Sequence, residues 1–120
     1  IDIEAEIAAC EPDDRDEMRA MYGVGESALG QVAHASYELL GRHTFLTTGD
    51  KESRAWTFRA GAKAPECAGV IHSDLQRGFI RAEVIRWDDL LEIGSWSKAR
   101  DAGKLRVEGK DYVVVDGDVL

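Results

Sequence analysis

Three adjacent residues, His72, Ser73 and Asp74, carry the side-chain types of a nucleophilic triad, and Cys67 and Glu83 lie nearby in the sequence. In a hydrolase these types supply a nucleophile, a base and an orienting carboxylate. Their contiguity argues against that chemistry, because neighbouring side chains on a helix point about 100° apart and do not converge on one substrate. We interpret His72 as a boundary histidine that bonds to backbone or solvent, and we assign no catalytic residue.

Residue types that bind metal ions are present without the spacing of a metal site. His34 and His43 are isolated, and Cys10 and Cys67 lie far apart in the sequence. The acidic run at 13–17 lacks the glycine and the terminal glutamate of a calcium-binding EF-hand loop. We therefore expect no metal, and two cysteines without a disulfide framework favour a reducing compartment.

Binding of phosphate groups is the third chemistry that the residue types allow. The net charge of −8 argues against binding nucleic acid or anionic membrane through bulk charge. That imbalance lies in residues 1–41, which hold ten acidic and two basic groups, whereas residues 42–120 are neutral. The basic residues of the second segment are therefore candidate phosphate contacts: Arg54, Arg59, Lys63, Arg77, Arg81, Lys104, Arg106 and Lys110. The alternative is that they are solvated charges paired with acids of the same segment.

Residues 1–41 are predicted to be helical. Ile3, Ile7 and Cys10 recur at helical spacing, and a break at 12–14 separates them from a second helix that continues to residue 21. Ser27 can cap a third helix that ends at Gly41. That helix carries an apolar stripe of Leu29, Val32, Ala33, Tyr37 and Leu40.

Residues 42–120 are predicted to form mainly short strands. Residues 44–48 and 54–59 are rich in β-branched and aromatic types and form a hairpin, with Trp56 and Phe58 on its core face. A helix begins near Pro65 and ends at Gly78. Strands follow at 79–87, 105–107 and 112–115, with short helices at 89–93 and 95–102. This order predicts an α+β, ubiquitin-like roll whose mixed sheet is covered on one face by a helix. Apolar runs of only a few residues exclude a membrane-spanning helix.

Four contiguous segments of the second region carry a specific resemblance. They read KESRAWTFRAG at 51–61, AGVIHSD at 68–74, RGFIRAEV at 77–84 and AGKLRVEGKDY at 102–112. From about residue 37 to 119 the sequence resembles the C-terminal TGS domain of the YchF type of Obg-like ATPases, which associate with ribosomes. The acidic helices before it are similar to the segment that leads from the nucleotide-binding domain of that family into its TGS domain.

The resemblance implies a β-grasp fold for residues 42–120 and a parent protein with a P-loop ATPase domain and a helical coiled-coil domain. The family hydrolyses ATP with Mg²⁺ through a GxxxxGK[ST] loop, which this sequence lacks. The nearest approaches, at 23–27 and 103–105, lack the second glycine or the following Ser or Thr. We expect no cofactor in this segment. The family's chain also continues with an aromatic-containing closing strand, so we expect that strand to be truncated here.

We therefore expect a noncatalytic module of a cytoplasmic, translation-associated ATPase. Its expected partner is the ribosome, at the large subunit or its RNA, and the basic residues named above would make the contacts. The alternative is a protein docking module that couples the nucleotide state of the parent's ATPase and coiled-coil domains to partner binding. No membrane partner is expected.

Overall fold

A computed structural model of the chain describes residues 2–49 and 51–120. The chain divides into two units, one ending at Leu40 and the other beginning at Gly41. None of the helices in the described ranges is both long and apolar enough to cross a membrane.

The first unit is helical, as predicted. It contains α1 (Asp2–Ala9), a 3-10 turn (Pro12–Asp14), α2 (Arg15–Met21) and α3 (Ala28–Leu39). Ser27 caps α3, because its hydroxyl accepts a hydrogen bond of 3.1 Å from the amide of Gly30.

The apolar stripe on α3 is not buried. Leu29 is 80% exposed, Val32 63% and Leu40 69%. The predicted third helix is therefore confirmed as α3, but none of its residues is buried in this chain.

The second unit is built on a five-stranded sheet in the described chain. Its strands are β1 (Arg42–Thr48), β2 (Ser53–Arg59), β3 (Ala82–Arg86), β4 (Arg106–Glu108) and β5 (Asp118–Val119), in the order β2-β1-β5-β3-β4. β1 runs parallel to β5, and the other pairs are antiparallel. This order is that of the β-grasp fold, so the predicted fold class is confirmed.

One face of the sheet packs against α4 (Ala64–Ile71), which is followed by α5 (Ser73–Arg77). The buried core on this side consists of Phe45, Phe58, Ala64, Cys67 and Val114. The single helix predicted between residues 65 and 78 is wrong, because the backbone of His72 is extended and separates two shorter helices. The His72 ring compensates for the break, since its Nδ1 accepts the Asp74 amide at 3.1 Å and caps α5.

The other face is covered as well, by α6 (Trp87–Ile93) and α7 (Trp96–Asp101). A second core of Ile85, Ala99 and Val119 lies there. Val84 and Ile85 are both buried although successive side chains of a strand point to opposite faces, so β3 is enclosed on both sides. The expectation of a sheet covered on one face is therefore wrong.

Two predicted strands differ from the structure. Within residues 112–115 the chain makes only an isolated bridge between Val113 and Lys63. The strand beside β1 is formed instead by Asp118 and Val119. Gly117, at φ +80°, allows the chain to turn into this strand, and a side chain there would collide with the Trp87 ring.

Candidate functional site

The eight predicted basic contacts are spread over the second unit. Arg54 and Arg59 lie on β2, and Arg106 lies on β4, which are the two edge strands of the sheet. Four strand spacings separate these edges, which is about 19 Å. Lys104 and Lys110 flank β4 in the sequence. The sheet therefore places these five candidates at two separate edges.

Three of the candidates are held by carboxylates. Lys63 lies 2.8 Å from Asp111, an exposed pair that raises the pKa of Lys63 through the hydrogen bond and its charge and lowers that of Asp111 in the same way. Arg77 donates to Asp74 within α5. Arg106 contacts Asp118, as described below.

Arg54 is held differently, because its guanidinium lies over the Trp56 ring, 4.2 Å from the centroid. Trp56 itself is half-buried and stacks on Phe45 at 6.4 Å, with its Nε1 donating to the Thr47 hydroxyl at 2.9 Å. The predicted inward orientation of Trp56 is therefore confirmed.

Asp118 organises the one buried polar cluster that the described residues form around β5. Its side chain is fully buried and accepts hydrogen bonds from the Tyr112 hydroxyl at 2.6 Å and the Val115 amide at 2.9 Å. The partly exposed Arg106 guanidinium donates to the Asp118 carboxylate at 3.2 Å. Burial, followed by the hydrogen bond to Asp118, raises the pKa of Tyr112. This arrangement holds Tyr112 and Val115 against β5 and pairs Arg106 with Asp118.

Glu83 connects α7 to β3 in a similar way. It accepts a hydrogen bond from Arg100 at 2.7 Å and one from the Trp96 indole at 3.2 Å. The Arg100 contact, more than the Trp96 contact, lowers the pKa of Glu83. Glu83 therefore helps to hold α7 against the sheet.

Four candidates have side chains without a hydrogen bond or ion pair to any residue in 2–49 or 51–120: Arg59, Arg81, Lys104 and Lys110. The hairpin register places Arg42 directly opposite Arg59. Arg42 was missed by the sequence analysis. The sequence did not identify this pair, because the register depends on a four-residue connection between Thr48 and Ser53, which the composition of the strands does not specify.

Two residues of the apparent triad approach each other, since His72 Nδ1 lies 3.5 Å from the Asp74 carboxylate. The contact is local to the start of α5, where His72 Nδ1 also accepts the Asp74 amide and Asp74 pairs with Arg77. Cys67 is completely buried in the first core, and burial raises the pKa of its thiol to about 12. A thiol in this environment is not a nucleophile at neutral pH. Within the described ranges no group of three His, Cys, Asp or Glu side chains could hold a metal ion.

The sheet order and its two helical layers define a β-grasp domain of the α+β class, with unpaired basic side chains on its surface. Residues 43–120 match the family YchF-GTPase_C, described as "Protein of unknown function (DUF933)". The chain belongs to this family. The predicted kinship with YchF proteins is therefore confirmed.

Several curated proteins are similar to the chain. The "Ribosome-binding ATPase YchF" of Bacillus subtilis (strain 168) is 54% identical over 118 residues, which is 98% of this chain and 32% of that protein. The protein of the same name from Escherichia coli O157:H7 is 47% identical over the same shares. "Obg-like ATPase 1" of Gallus gallus is 46% identical over 79% of this chain and 24% of that protein.

A solved structure shows the same fold. It is described as "Structure of the Schizosaccharomyces pombe YchF GTPase" and matches with a TM-score of 0.80 at 32% identity, over 95% of this chain and 30% of that chain. The chain thus spans about a third of the length of the relatives that it matches.

Proposed function

We propose that this chain is a noncatalytic, ribosome-associating module of a longer, translation-associated P-loop ATPase. The observation that carries the proposal is its 54% identity, over 98% of its length, to a protein named "Ribosome-binding ATPase YchF". In this proposal residues 42–120 are the TGS domain, and ATP and Mg²⁺ are bound by another part of the longer protein. Ribosome association would place the protein in the cytoplasm.

The chemistry of the described residues supports a noncatalytic role. The reactive side-chain types are used for structure: the Cys67 thiol is buried, His72 caps a helix and Asp74 pairs with Arg77. A glycine-rich loop of the GxxxxGK[ST] type, which would cradle phosphates, is absent from the sequence.

Contact with ribosomal RNA is the form of association that the unpaired basic residues support. Arg59, Arg81, Lys104 and Lys110 are exposed and available to phosphate groups. Such contacts are sequence-independent and weaken as salt rises, because counterions are released from the RNA.

A second candidate is protein docking, which the exposed stripe on α3 favours. A short helix is marginally stable alone, and an apolar stripe normally faces a partner. In this candidate residues 1–41 lead from the nucleotide-binding domain, and α3 packs on the ATPase or coiled-coil domain of the longer protein. Nucleotide state would then be transmitted through that contact.

We also propose that β5 is longer in the complete protein. A cavity of about 440 Å³ lies beside the end of β5, between Thr47 of β1 and Ala82 at the start of β3. Ile71, Leu75 and Phe79 make part of its apolar lining. A strand continuing from Leu120 would occupy this space and complete the sheet between its two neighbours.

Cosedimentation with purified ribosomes tests the function. The chain should pellet with ribosomes at low salt and be released as salt rises. A shortened chain beginning near Arg42 should bind more tightly than the whole chain, because residues 1–41 carry a net charge of −8 and repel phosphate. Salt-insensitive binding that is unchanged by this deletion would favour protein docking.

Calorimetric titration with MgATP tests the absence of nucleotide chemistry. We expect no heat of binding from the chain alone. Binding at micromolar ATP would overturn the noncatalytic assignment, since it would require a phosphate site within these residues.

A further inference from the structure

Two arginines stand side by side at one end of the hairpin. Arg42 of β1 pairs with Arg59 of β2, and the next pair along is closed by a hydrogen bond of 2.9 Å from the Ala60 amide to the Gly41 carbonyl. Because hydrogen-bonded and non-hydrogen-bonded pairs alternate, the arginine pair is of the non-hydrogen-bonded kind, with Cα atoms about 4.5 Å apart and side chains at their closest.

This placement is unfavourable unless something neutralises it. Like charges directly opposite each other destabilise an antiparallel pair. Both side chains are exposed, and neither makes an ion pair with an acid in the described parts of the chain. The Asp116 carboxylate, which lies near β1, is used to accept the Thr44 amide at 2.7 Å.

The hairpin residues on the same face as the pair are mostly polar. In the register of the hairpin, one face carries Arg42, Thr44, Leu46, Thr48, Ser53, Ala55, Thr57 and Arg59. Among these residues the one large apolar side chain, Leu46, packs into the second core. Protein interfaces are anchored by buried aromatic and apolar side chains, which the exposed hairpin residues beside the pair do not offer. It suits a ligand that is recognised by charge.

We propose that Arg42 and Arg59 form a clamp for the phosphodiester backbone of RNA. The proposal rests on the proposed function and names the surface by which the module would contact ribosomal RNA. Each guanidinium is planar, permanently charged and able to donate two parallel hydrogen bonds to phosphate oxygens. The clamp contacts phosphates and not bases, so it should bind single-stranded RNA of any sequence.

The test uses the whole chain and a fluorescently labelled uridine dodecamer as the probe. Affinity is measured by anisotropy between about 50 and 200 mM salt. Loss of two phosphate contacts in R42A/R59A should weaken binding and flatten the slope of log affinity against log salt by about 1.4, since each contact to a single strand contributes about 0.7. R42K/R59K should restore most of the slope and only part of the affinity, because lysine lacks the planar fork.

The matched control is K51A/K98A, which removes the same charge from two exposed lysines that are not candidate phosphate contacts, one in the turn between β1 and β2 and the other on α7. It should bind the dodecamer with the slope of the unaltered chain. Equal losses in the two double variants would show that binding follows net charge alone and would overturn the clamp. Failure of the unaltered chain to bind the dodecamer would also overturn it. Circular dichroism of each variant verifies that the fold is retained.

Ribosome cosedimentation of the same variants separates the clamp from the proposed function. If R42A/R59A pellets with ribosomes as well as the unaltered chain does, the proposed function stands and the clamp is wrong. If the unaltered chain does not pellet with ribosomes, the proposed function fails, and the dodecamer still decides whether the clamp exists. Binding of oligoglutamate in place of RNA, with the same dependence on Arg42 and Arg59, would reassign the surface to an acidic protein segment.

Discussion

Replacing Asp118 by Ala should destabilise the second unit more than any exposed charge replacement. The carboxylate is fully buried and accepts hydrogen bonds from the Tyr112 hydroxyl and the Val115 amide. Alanine removes the acceptor of both bonds and leaves two partly buried donors without it. It also removes the counter-charge that holds Arg106 near β5.

The magnitude follows from these contacts. Hydrogen bonds to a charged group contribute about 1.5–3 kcal/mol each when buried. The contact with Arg106 adds little, because 46% of that side chain is exposed and solvent screens the pair. The expected loss is therefore about 3–5 kcal/mol. Since domains of this size have unfolding free energies of about 5–15 kcal/mol, the variant would lose a large part of its stability.

Urea unfolding followed by tryptophan fluorescence measures the effect. Asp111→Ala is the control, because Asp111 is an exposed acid paired with an exposed lysine and should barely shift the midpoint. Tyr112→Phe should lose less than Asp118→Ala, and the double variant should lose less than the sum, since the two groups share one hydrogen bond. A loss below about 1 kcal/mol for Asp118→Ala, with an unchanged slope in urea, would refute the assigned role.

Two further predictions concern the first core. Trp56→Ala should cost about 2–4 kcal/mol in urea unfolding, toward the lower end for aromatic truncations because the ring is half-buried, and a loss below about 1 kcal/mol would contradict its packing on Phe45. Because the pKa of Cys67 is raised from 9.0 to about 12, the folded state keeps its proton, so its stabilising contribution is complete below pH 9 and is lost as pH rises toward 12. Cys67→Ala should therefore reduce the fall in stability across that range, and in the native protein Cys67 should react with thiol reagents more slowly than the half-buried Cys10.

The hairpin and its core face could be predicted from sequence because strand alternation is local. Phe58 and Trp56 repeat at a spacing of two, and the turn residues between the strands set the pairing. The helix break at His72 could not be predicted in this way, because the apolar residues on its two sides continue a single helical period. The break depends on a histidine side chain that caps the following helix.

The second helical layer was missed for a different reason. α6 and α7 have seven and six residues, and two turns of helix give too few repeats to show which side of a sheet they cover. The burial of both Val84 and Ile85 in the folded structure shows that both faces of the sheet are covered. Similarly, Arg42 became a candidate phosphate contact only because the hairpin register pairs it with Arg59, since a single exposed arginine on a strand is common.

The parallel pairing of β1 with β5 has a consequence for how the domain is made. Leu46 and Val119 are adjacent in the centre of the sheet although about seventy residues of chain lie between them, and closing such a loop slows folding. The β1–β2 hairpin can form as soon as its residues leave the ribosome, but its inner edge stays unpaired until the last strand is synthesised. The newly made domain therefore exposes an open strand edge through most of its synthesis, which is the interval in which it is most prone to pair with another chain.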